Sequence, residues 1–188
     1  MQTMPLQLAP FPPERPERER LPDSLARRGF QLRVARDGDL PWLRDLYAST
    51  RAVEMARLPW PEAAKRSFLD QQFTLQHRHY LTHFADADFL VLEHARQGSA
   101  GRYYLQRSAP DHLLVDISLF PAFRGNGVAT ALIRHSQQGA ANLGHGLRLH
   151  VLHGNAEARR LYERLGFVVD GVTATHQAMH WRAEACFS

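Results

Sequence analysis

The stretch Leu119-Phe120-Pro121-Ala122-Phe123-Arg124-Gly125-Asn126-Gly127-Val128-Ala129-Thr130 decides how this chain is read. An apolar strand, Leu113 to Leu119, runs into a turn with one proline and two glycines. Beyond the turn, Ala129, Leu132, Ile133, Ser136, Ala140 and Leu143 recur on one face of a helix expected to end around Gly144. Such a strand-turn-helix passage gathers unpaired backbone N–H groups at the positive end of the helix dipole, which suits an anion. Glycine at 125 and 127 lets the backbone approach a bulky diphosphate, small Ala129 does the same for the first helical turn, and Arg124 adds a fixed charge. The turn is not a Walker loop, because no Gly-Lys-Ser/Thr follows. It is not the dinucleotide fingerprint either, because the third glycine and the preceding strand-helix-strand unit are missing.

Working outward, alternation at Phe30, Leu32 and Val34 predicts a first strand, and Asp39 is placed to cap a helix carrying Pro41. Pro59-Trp60-Pro61 breaks the chain before a longer helix with Leu69, Phe73, Gln76, Tyr80 and Phe84 at helical spacing. Phe89–Leu92, Arg102–Gln106 and Leu113–Leu119 read as hairpin-connected strands. After the helix that follows the glycine turn come a strand over Leu147–Leu152, a helix over Ala156–Leu165, and a strand pair over Val168–Thr173 and Gln177–Trp181. The order β-α-α-β-β-β-α-β-α-β-β predicts an α/β (α+β) domain, a mixed sheet of about seven strands flanked by helices.

The 188 residues suit one domain. Six of eleven prolines precede residue 23, and Pro12 to Arg20 alternates charge with no apolar period, so residues 1–28 are expected to be a flexible tail and 29–188 the domain. Only Lys65 among 23 basic residues is not arginine, and the net charge is +4. The arginines are scattered among 19 carboxylates rather than gathered into a stripe, so no nucleic-acid partner is expected. Cys186 is the only cysteine, which excludes an intrachain disulfide or a cysteine-based metal site. No apolar run reaches membrane-spanning length and no secretion leader is evident, so a cytoplasmic chain without membrane contact is expected.

A second motif follows the glycine turn: Asn155-Ala156-Glu157-Ala158-Arg159-Arg160-Leu161-Tyr162-Glu163-Arg164-Leu165-Gly166-Phe167. Together the two segments resemble the GNAT superfamily of N-acetyltransferases. Its diphosphate loop reads Arg/Gln-x-x-Gly-x-Gly/Ala, matched by Arg124, Gly127 and Ala129. Its later motif reads Asn-x-x-Ala-x-x-x-Tyr-x-x-x-Gly-Phe, matched by Asn155, Ala158, Tyr162, Gly166 and Phe167. The resemblance is carried by Leu113 to Phe167 and extends through element order from Phe30 to Trp181.

The resemblance implies acetyl-CoA as cosubstrate, held in a V-shaped opening between the strands Leu113–Leu119 and Leu147–Leu152, with pantetheine pairing to backbone near Leu119. The diphosphate would rest on the N–H groups of Arg124, Gly125, Asn126, Gly127, Val128 and Ala129, with Thr130 in the same helical turn and Asn155 also touching the cofactor. Asn155 is equally placed to cap its helix.

Acetyl transfer to an amine needs an oriented carbonyl, a neutral nucleophile and a proton source for the departing thiolate. Tyr162, at the border of a buried stripe of Ala158, Leu161 and Leu165, is the candidate proton donor. Two residues compete as base. His150 stands where the ribosomal-protein alanine acetyltransferases, a branch of the superfamily, carry a glutamate base, and an imidazole titrates near neutrality. Asp116 is an acid in an apolar strand, expected on one side with Leu114 and Ser118 and within reach of Arg102 or Tyr104.

His77, His79 and His83 are expected on a wet helix face, with no metal; His150 and His153, three apart on a strand, do not form a joint metal site. Trp60, Phe73 and Tyr80 are either core or walls of an acceptor pocket. The expected activity is direct transfer from acetyl-CoA to a small-molecule or peptide amine. The alternative is a non-catalytic acyl-CoA-binding or protein-interaction module on the same fold, and assembly as a homodimer is left open.

Overall fold

The computed structural model describes residues 8–13 and 21–183. Cys186 and most of the charged stretch Pro12 to Arg20 lie outside the described residues. The elements are α1 (Asp23–Ala26), β1 (Phe30–Val34), α2 (Leu40–Thr50), α3 (Ala52–Ala56), α4 (Glu62–His83), β2 (Asp88–His94), β3 (Gly98–Gln106), β4 (Asp111–Leu119), α5 (Val128–Ala141), β5 (Gly146–Leu152), α6 (Ala156–Arg164), β6 (Val168–Val172) and β7 (His176–Trp181). The seven strands form one mixed sheet, as the sequence predicts, and their order in it is β1-β2-β3-β4-β5-β7-β6. The short helices α1 and α3 are additions to that prediction. Each has five residues or fewer, too short to show a helical period.

Two apolar layers sandwich the sheet. On one face α5 and α6 pack Val128, Leu132, Ile133, Tyr162 and Leu165 against Leu114, Leu147, Leu149 and Val151. On the other, α2 and α4 pack Leu43, Leu46, Leu69 and Phe73 against Phe89, Val91 and Tyr104. No described helix is long and apolar enough to cross a membrane.

Two local expectations are corrected. Asp39 does not cap α2 with its side chain. Its carboxylate instead accepts from Arg33 at 2.8 Å, from the Arg36 backbone at 2.8 Å and from Trp42 Nε1 at 2.9 Å, tying β1 to the start of α2. The described parts of the expected flexible tail lie on the domain. Leu25 is fully buried, and Phe11 packs edge-on to His77 with ring centroids 4.9 Å apart while its N–H donates to Asp37 Oδ1 at 2.8 Å. A few apolar side chains among prolines lack a period, yet they fill gaps that the helices leave at the sheet margin.

Candidate active site

After β4 a single 3-10 turn, Pro121–Phe123, buries Phe123, and the chain then passes through Gly125 and Gly127, both at φ +73°. At that φ a side chain is strained, so glycine is required by conformation. The N–H groups of Gly125 to Thr130 make no hydrogen bond to a described residue; the first bond of α5 runs from Ala131 N–H to the Gly127 carbonyl at 3.0 Å. A Cβ added at Gly125 or Gly127 would meet nothing within 4 Å, so the cradle opens outward. Arg124 is anchored at its lip, with Nε donating to the Leu119 carbonyl at 2.8 Å and Nη2 lying 3.4 Å from Ser49 Oγ. Beside it an open depression of about 480 Å³, lined by Arg28, Gly127, Thr130 and Arg134 among others, continues the basic surface. Arg28 and Arg134 were indistinguishable in sequence from other solvated arginines.

The V-shaped opening follows from the hydrogen-bond register. β4 and β5 pair in parallel only from Asp111 with Gly146 to Leu114 with Leu149. Beyond that point β4 stays bonded to β3 as far as Leu119, and β5 to β7 as far as Leu152, but not to each other. Close approach of β3 supports the parting strand: at Gly101 any Cβ would collide with the Ser118 carbonyl oxygen.

A register shift separates Tyr104 paired with Asp116 from Leu105 paired with Leu114, leaving Val115 as the extra residue. The bulge corrects the expected strand face. Leu114 stays on the α5 side, whereas Asp116 turns towards α4. There its Oδ2 accepts from Arg102 Nη2 and from the Tyr80 hydroxyl, both at 2.7 Å, and its Oδ1 accepts from Ser118 Oγ at 2.7 Å. Arg102 is 3 % exposed, donates also to Gln76 Oε1 at 2.7 Å, and sets its guanidinium carbon 5.7 Å and 5.4 Å from the Tyr80 and Tyr104 ring centres. Of the two partners expected for Asp116, Arg102 is found. Tyr104 contributes its ring to the cation, and Tyr80 supplies the hydroxyl instead. Sequence reasoning gave Gln76 and Tyr80 only a shared helix face, four residues apart, which is the available signal.

Tyr162 is 7 % exposed, on the α5/α6 side of the opening, and its hydroxyl has no hydrogen-bond partner among the described residues. Burial, with the Asp116 charge adding to it, pushes the phenol well above its ordinary range, so the group stays protonated. Asn155 caps α6, its Oδ1 accepting from Ala158 N–H at 3.1 Å. His150 is the first β5 residue past the last β4 pair. It alternates with buried Leu149 and Val151, so it is exposed on the sheet face that Asp116 also occupies.

His79 and His83 remain exposed, but His77 is not wet. It is 3 % exposed, stacked on Phe73, with Nε2 2.7 Å from the Ala9 carbonyl. Phe73 is core, and Trp60 lies at the surface against Phe68. Among the described residues no group of three or more His, Cys, Asp or Glu side chains could hold a metal.

The acetyltransferase (GNAT) family model matches residues 48–167. None of the curated proteins matches the sequence. Among solved structures, the chain is similar to the PaiA N-acetyltransferase from Thermoplasma acidophilum in complex with coenzyme A, with a TM-score of 0.60 and 17% identity over 82% of this chain and 99% of that one. It is also similar to the spermidine N-acetyltransferase from Vibrio cholerae in complex with CoA and spermine, with a TM-score of 0.53 and 22% identity over 81% of this chain and 94% of that one.

Proposed function

The chain belongs to the acetyltransferase (GNAT) family, and on that footing we propose that it transfers the acetyl group of acetyl-CoA directly to the amine of an acceptor bound on the α2/α4 face of the opening. General acetyl transfer is the chemistry of the family; the roles below are our reading of this chain's residues.

The observation that carries the reading is the parting of β4 and β5 beside an outward-facing cradle of unpartnered N–H groups. The cradle suits the CoA diphosphate, with Arg124 at its edge and Arg28 and Arg134 beyond it. Pantetheine then lies along the unpaired edge of β4 towards Leu119 and delivers the thioester to the apex. The acceptor nitrogen bonds to the acetyl carbon, the C–S bond breaks, and His150 takes the proton that the nitrogen sheds, directly or through water. Asp116 is the poorer base because three donors already occupy its oxygens.

Tyr162 donates its hydroxyl proton to a hydrogen bond with the departing sulfur. A thiol titrates near about 8.5, below a phenol held as high as this one, so the hydrogen bond stabilises the thiolate as charge develops and the net proton comes from solvent. The test is release of free CoA thiol from acetyl-CoA across a panel of amines. Thiol release that depends on the amine upholds the reading. Acetyl-CoA binding in calorimetry with no release for any amine would overturn it.

A further inference from the structure

We infer that the acceptor is a small amino acid, a primary amine whose own carboxylate docks beside His150 against Arg148 and His176 on the open face of β5 and β7. This rests on the transferase reading and names its substrate class.

Among the described residues most carboxylates on the acceptor side are already matched by a cation, and Asp170, 3.4 Å from Arg148, is the loosest held. Asp116, the carboxylate at the apex, is matched by buried Arg102 and accepts from two hydroxyls besides. An ammonium could engage it only by breaking that buried pair. On the helices that roof this face, every acidic side chain is already ion-paired: Asp45 with Arg66, Glu54 with Arg51, Glu62 with Lys65, and Asp70 with Arg66. Six basic side chains stand against these four between residues 40 and 83. A polyamine, whose distal ammonium groups need carboxylates, therefore finds little unmatched counter-charge here beyond Asp170.

The open face beside His150 supplies donors instead. His150 lies opposite Ala178, and Ala178 opposite Gly171, so three strands present a low floor next to the imidazole. Arg148 stands on one side of that floor and His176 on the other. Arg148 is about half exposed, and its contact to Asp170 is a long 3.4 Å, which leaves most of its guanidinium fork open. His176 Nδ1 sits 2.8 Å from the Thr175 hydroxyl; with that hydroxyl donating, the ring proton is on Nε2 and available to a carboxylate. Burial, together with the neighbouring imidazoles His150 and His153, holds His176 below the ordinary range of its type, so it acts as a neutral donor. Asp111, also on this face, is held by His180 and Arg182. An amino acid bound with its carboxylate between Arg148 and His176 brings its nitrogen, a few bonds away, to His150 and the apex.

The experiment measures thiol release from acetyl-CoA with each common amino acid, with the matching amino-acid carboxamides, and with spermidine. The carboxamide amine is the less basic and so the more nucleophilic at a given pH, which biases the comparison against the expected result. Turnover of one or more amino acids, with kcat/KM about 100-fold above the matching carboxamide, supports the inference. Arg148→Ala, a change at a half-exposed position that leaves the core intact, should shrink that acid-over-amide preference about tenfold, with Arg148→Lys recovering part of it. Equal or better turnover of carboxamides or spermidine overturns the inference and leaves the transferase reading standing, as does an Arg148→Ala enzyme that keeps its preference. Thiol release with none of the amines overturns the transferase reading and this inference with it.

Discussion

Arg102 Nη2 meets Asp116 Oδ2 at 2.7 Å in a part of the sheet where the arginine side chain is 3 % and the aspartate side chain 10 % exposed. Two charges so placed stabilise each other chiefly by sparing each other an unpaired burial. Asp116→Leu should therefore destabilise the fold by about 3–5 kcal/mol, because it strands the guanidinium. The double variant Arg102→Met/Asp116→Leu should cost well under the sum of the two single changes. Urea denaturation of the four proteins reads the coupling, and simple additivity would show that the pair is not acting as a unit.

Tyr162 is buried, protonated and without a hydrogen-bond partner among the described residues. Tyr162→Phe removes only the hydroxyl, so acetyl-CoA affinity by calorimetry should hardly move while kcat falls about 100-fold. An unchanged kcat would remove Tyr162 from the reaction.

At Gly127 conformation and ligand contact separate cleanly. The residue has φ +73° and an added Cβ meets no protein atom within 4 Å. Gly127→Ala should thus cost only about 1–2 kcal/mol of stability, the strain of the left-handed backbone. It should weaken CoA binding at least about tenfold, because the methyl group projects into the space assigned to the diphosphate. Thermal melting and calorimetry together check both halves.

Two imidazoles are buried in the neutral form. Burial lowers the pKa of His77, and burial with the neighbouring His145 lowers that of His112. In the unfolded chain both titrate near about 6.5 and take up protons that the folded protein refuses, so stability is full above that pH and declines as pH falls below it. A His77→Gln/His112→Gln variant should show a shallower loss of melting temperature between about pH 6.5 and pH 5. A slope as steep as that of the parent would mean that other groups set it.

Phe11 touches both His77 and Phe89, with ring centroids 4.9 Å and 5.8 Å away. Phe11→Ala should lower stability by about 2 kcal/mol, a partly buried version of a core aromatic deletion. Chemical denaturation would register no change if the arm contributed nothing.

What was legible in the sequence was whatever local chemistry dictates. Glycine at φ +73°, an asparagine ahead of an amphipathic helix and the alternation of β5 each constrain their own neighbourhood, and all appear where expected. What depended on distant partners was not legible. The bulge at Val115 arises from how β4 meets β3, and no period-two pattern reveals that the side-chain faces exchange there, which is why Asp116 stands with α4 and not with Leu114. His77 shares its helix with two exposed histidines, and only the Ala9 carbonyl and Phe11 against it distinguish it. His176 falls just ahead of the strand expected over Gln177–Trp181, and only the register places it diagonally across from His150.

The sheet is continuous in strand order, but its hydrogen-bond ladder is short at one seam. Four pairs, Asp111–Gly146 to Leu114–Leu149, make up the whole strand ladder between the four-stranded part β1–β4 and the three-stranded part β5–β7. At the base of that seam Gly146 has no room for a Cβ, which would strike Asp111 and His180, so the two parts meet there with the least slack. A joint that is tight at one end and unbonded at the other has the shape of a clothes-peg. The open end leaves two strand edges facing each other, the shape that a long thin ligand can enter, while the closed end lies far from the chemistry.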